Sequence, residues 1–223
     1  GVFAIAGPKS RDLLKSVVNE ADVQSALSNK RFPWLSSKTI EIGMCPVNAI
    51  RVAYTGELGW ELHHPIEMQN YLWDRLLLAG PEYGLKLVGA RAQNWLRQEK
   101  SYRAFGTELG RDATPLEADL SRFIDLEKEF LGKEGMENTG VRAKCVTLLI
   151  DGPNGADPWG REALYLENGT KVGRLTSGGY SVVFNKSIGM GYIRPDLAQE
   201  GQKLKVKMLN SLWDAEVTCD SPY

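Results

Sequence analysis

The chain has 223 residues, 43% of them hydrophobic and 25% charged, with 27 Lys and Arg against 28 Asp and Glu for a formal net charge of −1. That length makes one large domain or two modest ones, and the composition is that of a globular protein, not of a disordered, collagenous or disulfide-scaffold chain. There is no basic excess and no run near the ~18 apolar residues that cross a bilayer, so neither nucleic acid nor a membrane is an expected partner.

In chain order, Val2 to Ala6 reads as a short apolar strand, and Leu13, Leu14, Val17 and Val18 recur at helical spacing after Gly7-Pro8, predicting a helix over about Lys9 to Val18. No basic segment precedes this strand, so no signal peptide is expected, and the absent initiator Met points to a fragment or processed chain. Thr39 to Gly43 and Val47 to Tyr54 alternate and are β-branched, and Gly59 to His63 resumes that pattern after Thr55-Gly56-Glu57-Leu58, predicting a hairpin. Pro65 opens a helix through Ile66, Met68, Leu72, Leu76 and Ala79 that Gly80-Pro81 closes, and a second helix runs from about Val88 to Glu99. Thr114-Pro115-Leu116-Glu117 carries a capping pattern with Pro at the first helical position, which predicts a short helix or helical turn.

Beyond the polar stretch Lys133 to Arg142 come short β runs: Val146 to Ile150, Ala163 to Leu166, Lys171 to Leu175, Ser181 to Phe184, Ile188 to Ile193 and Leu204 to Met208. Asn168-Gly169 and Ser177-Gly178-Gly179 punctuate them as turns. Mixed helices and strands before about residue 140, and strands after it, predict an α+β domain followed by a small antiparallel barrel or sandwich. Cys45, Cys145 and Cys219 are too few and too far apart for a disulfide framework or a Cys-x-x-Cys site, which fits a reducing compartment.

The common catalytic patterns are missing: no G-x-G-x-x-G follows a strand, and there is no Walker loop, G-x-S-x-G elbow or His-x-x-x-His spacing. His63 and His64 are adjacent and point to opposite faces of a strand, so no metal site is expected. A hairpin centred between Glu57 and Leu58 places Tyr54 opposite Glu61, with Trp60 and Leu62 on the other face and Gly59 leaving room for a ligand. Pattern alone favours a solvated Glu61 on the outer face of a half-buried sheet. It likewise favours a structural ion pair for Arg97, within Trp95-Leu96-Arg97-Gln98-Glu99, and a tight turn for Thr176 to Gly179.

The segment from Tyr54 to Glu61, reading Y-T-G-E-L-G-W-E, resembles the central motif of the aminomethyltransferase family, the glycine-cleavage T-protein and its relatives. Further stretches resemble that family in the same order: Ala4 to Pro8, Leu96 to Glu99, Thr114 to Ala118, Phe130 to Lys133, Val172 to Gly178 and Ser221-Pro222. Tyr102 to Gly106 and Gly59 to Leu62 look most like the folate-binding C-terminal halves of dimethylglycine and sarcosine dehydrogenases.

The resemblance implies an α+β protein: an antiparallel-sheet, folate-binding domain with helices over residues 1–140, present in part, and an antiparallel β-barrel over 141–223. It implies a tetrahydrofolate site in which Glu61 accepts hydrogen bonds from the pterin N–H groups, Tyr54 packs near the cofactor and Arg97 lines the pocket. The reaction implied is capture of a one-carbon unit from an amine of the glycine, sarcosine or dimethylglycine class by folate N5, giving 5,10-methylenetetrahydrofolate. The catalytic residue stays unassigned, because the family's Asp falls before Gly1, and a longer parent enzyme is expected. FAD is implied only where a flavin-dependent dehydrogenase domain or partner subunit accompanies the chain. The expected location is the cytoplasm, or the mitochondrial matrix in a eukaryote.

Two alternatives stay open: a folate-dependent demethylase that moves a methyl group, and a non-catalytic regulatory or interaction module of the same fold. A tRNA-modifying or iron–sulfur assembly relative would carry Lys-Gly-Cys-Tyr-x-Gly-Gln, where this chain has Lys128-Glu-Phe-Leu-Gly-Lys-Glu134. Convergence of Tyr54, Glu61 and Arg97 on one open cavity separates the enzyme from the module.

Overall fold

In the computed structural model, which describes residues 1–152 and 157–222, alternation and helical periodicity both become packing. Strands β1 (Val2–Ala6), β2 (Ser37–Ile42), β3 (Cys45–Ile50) and β4 (Gly59–His63) form an antiparallel sheet in the order β1-β4-β3-β2. Every second residue faces the core: Ile40 and Ile42 from β2, Cys45, Val47 and Ala49 from β3, Trp60 and Leu62 from β4. Helix α1 (Ser10–Val17) adds Leu14 and Val17 to that core, the short α2 (Val23–Ala26) follows it, and α3 (Gln69–Tyr83) adds Leu72 and Leu76.

Helix α3 does not stop at Gly80-Pro81 as expected. It runs on to Tyr83, and Gly84 at φ +71° takes the left-handed cap, its N–H donating to the carbonyls of Gly80 and Pro81. Pro81 lies in the last turn, where its missing N–H costs a single hydrogen bond, and a Cβ at residue 80 would run into the returning Leu85 side chain. These elements form one compact unit, Gly1–Ala90.

The second compact unit, Arg91–Tyr223, holds nearly all of α4 (Ala90–Glu99), α5 (Lys133–Thr139) and a closed antiparallel barrel. The barrel strands are β5 (Lys144–Ile150), β6 (Ala163–Tyr165), β7 (Lys171–Ser181), β8 (Lys186–Ile193), β9 (Lys203–Met208) and β10 (Ser211–Thr218), in the order β10-β5-β8-β7-β6-β9. Because β9 pairs with both β6 and β10, the sheet closes on itself, which decides the barrel over the sandwich. Leu148, Ile150, Leu164, Leu175 and Val206 fill it. The capping pattern at Thr114 forms a turn with both reciprocal bonds: Thr114 N–H to Glu117 Oε2 at 2.8 Å and Glu117 N–H to Thr114 Oγ1 at 3.2 Å.

Several expectations fail in this unit. Ser177-Gly178-Gly179 is no turn but the interior of β7, where an added Cβ would strike Pro158 at residue 178 and Trp95 at residue 179. The glycines permit close approach instead of reversing the chain. Ser181 to Phe184 is not a separate strand: β7 ends at Ser181 and the chain reverses through Asn185 at φ 51°. β10 was not expected, because only the small Ala215 and the Val217 are buried along it. α5 was not expected either, since Met136 is its one buried residue. All three cysteines are free thiols. Burial pushes the Cys145 thiol up to about 12, away from thiolate reactivity.

Candidate functional site

Glu61 lies on β4 between β1 and β3, with Ala4 and Ile50 as its register partners. Trp60 and Leu62 on either side are fully buried, so the pleat turns Glu61 to the opposite face with 38% of its side chain exposed. Glu61 Oε2 is 3.0 Å from His63 Nε2. Glu61 Oε1 has no hydrogen-bond partner among the described residues. The i,i+2 spacing of Glu61 and His63 on a strand is the sequence signal that the two share a face. His64 turns inward, stacked on Phe3 with ring centroids 4.9 Å apart, its Nδ1 2.9 Å from the Leu62 carbonyl oxygen.

Two parts of the expected hairpin are corrected. Ile50, not Tyr54, stands beside Glu61, and Tyr54 sits at the half-exposed margin of a connecting loop, residues 51–58. β3 ends at Ile50, and Arg51 just beyond it binds the stretch 32–36 that precedes β2. Its N–H donates to the Ser36 carbonyl at 2.9 Å, its carbonyl accepts from Leu35 N–H at 3.1 Å, and its Nη1 donates to the Phe32 carbonyl at 2.8 Å. Gly59 leaves no room for a ligand either: a Cβ there would stand 2.5 Å from the Ile5 carbonyl oxygen and 2.8 Å from Ala53 Cβ. The glycine serves packing. Beneath Glu61, Trp60 is flanked by the guanidinium groups of Arg11 and Arg51, 5.1 and 6.0 Å from its ring, and meets the Phe32 edge at 6.2 Å.

Arg97 belongs to the second unit, on α4, and is 1% exposed. Its Nη1 donates to Glu108 Oε2 and to the Tyr102 carbonyl, each at 2.8 Å, its Nε to Asn94 Oδ1 at 3.0 Å, and its Nη2 to Ser177 Oγ at 2.6 Å. Glu108 also accepts from Thr176 and Ser177 hydroxyls at 2.6 Å, from Thr107 Oγ1 at 2.7 Å and from Ala104 N–H at 3.0 Å. Burial pushes the Glu108 carboxyl upward, but Arg97 and the hydroxyls of Ser177, Thr176 and Thr107 outweigh it and hold the pKa below its ordinary value. The ion pair favoured by pattern is therefore present. Glu108 itself was missed, since nothing local in Gly106-Thr107-Glu108-Leu109 marks it. α4 is tied to β7 again by Gln98 Nε2 to the Gly178 carbonyl at 3.2 Å and by Ser181 Oγ to Glu99 Oε1 at 2.5 Å.

An antiparallel sheet with a half-committed carboxylate, followed by a closed six-stranded barrel, defines a two-part α+β protein. Residues 1–128 match the GCVT N-terminal domain, and residues 144–223 match the glycine cleavage T-protein C-terminal barrel domain. The chain belongs to the glycine-cleavage T-protein family. It is 38% identical over 226 residues to mitochondrial dimethylglycine dehydrogenase of Homo sapiens, a match covering 97% of this chain and 25% of that protein. It is 35% identical over 213 residues to an aminomethyltransferase of Caldanaerobacter subterraneus subsp. tengcongensis, covering 93% of this chain and 54% of the relative. The crystal structure of glycine cleavage system aminomethyltransferase T from Bartonella henselae shares the fold with a TM-score of 0.82 at 22% identity, over 100% of this chain and 59% of that one. The chain thus spans about a quarter of the dehydrogenase and about half of the aminomethyltransferase it matches.

Among the described residues, no group of three or more His, Cys, Asp or Glu side chains is placed to hold a metal ion, and no helix is long and apolar enough to cross a membrane.

Proposed function

We propose that this chain is the tetrahydrofolate-binding part of an aminomethyltransferase-type enzyme that captures a one-carbon unit from a glycine-, sarcosine- or dimethylglycine-class amine, giving 5,10-methylenetetrahydrofolate. The observation that carries this reading is the Glu61 carboxylate, partly exposed on the central strand β4 with Oε1 uncommitted among the described residues. A carboxylate offers about four acceptor positions, of which His63 takes one, and the adjacent N–H donors of a pterin edge suit the remainder. Tyr54 offers a half-exposed ring for packing against a flat heterocycle.

Within the second unit, Arg97 has four of its five N–H groups in bonds, which leaves one Nη2 hydrogen without a partner among the described residues. When bound, reduced folate supplies the nucleophilic nitrogen that takes the one-carbon unit. The chain's own part is to bind and orient it, and such positioning supplies much of the rate in a two-reactant transfer. We further propose that FAD, as the dehydrogenase relative's name suggests, belongs to an accompanying domain or subunit, and that a eukaryotic form works in the mitochondrial matrix.

The closed Arg97–Glu108 pair favours a second reading, a non-catalytic interaction module of the same fold. Calorimetric titration of the 223-residue chain with 5-formyltetrahydrofolate, beside Glu61→Ala, separates the two. Micromolar binding that the substitution abolishes supports the folate site, and a folded chain that binds nothing supports the module.

A further inference from the structure

A cavity of about 700 Å³ opens in the second unit between the loop around residues 106–117 and barrel strands β7 and β8. None of Tyr54, Glu61 and Arg97 lines it. Its volume lies within the range of small-molecule sites. Four cationic side chains line it: Arg142, Lys171, Arg174 and Arg194.

Arg142 is held in place along one edge. Its Nε is 2.8 Å from Glu117 Oε1, and its Nη2 is 3.0 Å from Glu117 Oε2 and 2.8 Å from the Asp112 carbonyl oxygen. Glu117 is in turn fixed by Thr114, and its side chain is 2% exposed. The two hydrogens on Arg142 Nη1 have no partner among the described residues. An oriented guanidinium with a free edge loses little freedom on meeting an oxyanion.

Lys171 and Arg174 lie three residues apart on β7 and are exposed, with no hydrogen bond or ion pair from either side chain among the described residues. Arg174 is in register with Tyr192 of β8, and the backbone N–H of Arg194, just past the end of β8, donates to the Val172 carbonyl at 3.1 Å. Arg194 spends its Nε and Nη2 on Asp196. Of the three acids lining the cavity, Glu108 and Glu117 are committed to Arg97 and Arg142, which leaves Asp112 as the one opposing charge without a side-chain bond among the described residues. Leu109 and Val172 add apolar wall.

We propose that this groove binds a small polyvalent oxyanion, a phosphate ester or a di- or tricarboxylate, held by Arg142, Lys171 and Arg174. Lys171 and Arg174 carry uncompensated charge against the single free carboxylate of Asp112, and Arg142, whose charge Glu117 balances, adds two N–H donors, a combination that favours a ligand with several anionic oxygens. Because Glu117 and Glu108 are neutralised internally, they do not repel it.

The test is calorimetric titration of the 223-residue chain with citrate and with inorganic pyrophosphate at low ionic strength, where surface charge is least screened. Saturable binding of one equivalent is expected, weakened at least tenfold in the double variant Lys171→Glu, Arg174→Glu. Asp112→Asn should bind two- to threefold more tightly, and Lys207→Glu, on exposed β9 outside the groove, should bind as the parent does. Stronger binding of pyrophosphate assigns a phosphate ester, and stronger binding of citrate assigns a carboxylate. The proposal is overturned if the folded parent chain shows no saturable binding of either anion, or if Lys207→Glu weakens it as much as the double variant.

Discussion

Glu61 and Glu108 are both carboxylates beside a nitrogen base, yet they live under different physical rules. Glu108, in the second unit, has a fully buried side chain and receives hydrogen bonds from Arg97, Ala104, Thr107, Thr176 and Ser177. Glu61, in the first unit, keeps 38% of its side chain exposed and has His63 as its one side-chain partner among the described residues. A charge removed from water must have its acceptor positions filled by protein, because an unfilled one costs the whole desolvation penalty. A half-solvated carboxylate keeps capacity that water holds until a ligand replaces it. The saturated carboxylate belongs to the structure, and the unsaturated one is the residue our proposal assigns to binding.

The contrast is broken most severely at Arg97. Arg97→Met strands the Glu108 charge and should cost about 3–5 kcal/mol in denaturant unfolding. Adding Glu108→Gln to it should recover part of the loss, since the two side chains are directly coupled. A loss under about 1 kcal/mol for the single variant would show that the pair is dispensable.

Glu61→Ala tests the other side. Its unfolding midpoint should stay within about 0.5 kcal/mol of the parent. Its affinity for 5-formyltetrahydrofolate should fall by about 1.5–3 kcal/mol, the range for a hydrogen bond to a charged group. Equal affinity in parent and variant would remove Glu61 from the site.

Thr114→Ala should lower stability by about 1 kcal/mol through its cap while folate affinity stays level, and an unmoved unfolding midpoint would remove the capping role.

The pH-dependent part of the contrast comes from Glu117. Hydrogen bonds from Arg142 lower the Glu117 carboxyl to about 2, against an opposing push from burial. A depressed folded-state pKa gives stability that is fully present above the ordinary value of 4.5 and is lost as pH falls toward 2. Arg142→Ala should therefore leave thermal unfolding in strong acid nearly unchanged and lower the parent's advantage above pH 4.5, so that the melting-temperature rise across that acid limb becomes shallower. Parallel curves for the two proteins would show that the ion pair adds nothing.

Local pattern reached the inward-facing Trp60 and Leu62, the reciprocal bonds of Thr114 and Glu117, and the strands β5 and β8, because each depends on residues a few positions apart. It also brought out the Tyr54 to Glu61 segment and Arg97, and it favoured the ion pair that Arg97 makes. It failed at β7, where Gly178 and Gly179 carry the same composition as a turn but are there to admit Pro158 and Trp95. It failed also at the β3–β4 register, where Ile50 is the strand partner of Glu61 and Tyr54 falls in the connecting loop.

The order of amino acids by itself determined the class of the fold, most of the strand and helix positions, the buried face of β4 and the family resemblance, since these rest on periodicity and short motifs. Only the tertiary structure decided that the barrel closes, that Ile50 stands next to Glu61, that Glu108 is the partner of Arg97, and that Arg142, Lys171 and Arg174 share one groove. Those four outcomes join residues from 11 positions apart, as in Arg97 and Glu108, to 71 apart, as in Thr147 and Thr218 where the barrel closes. Such meetings are set by the packing of the whole chain, to which no short stretch of sequence has access.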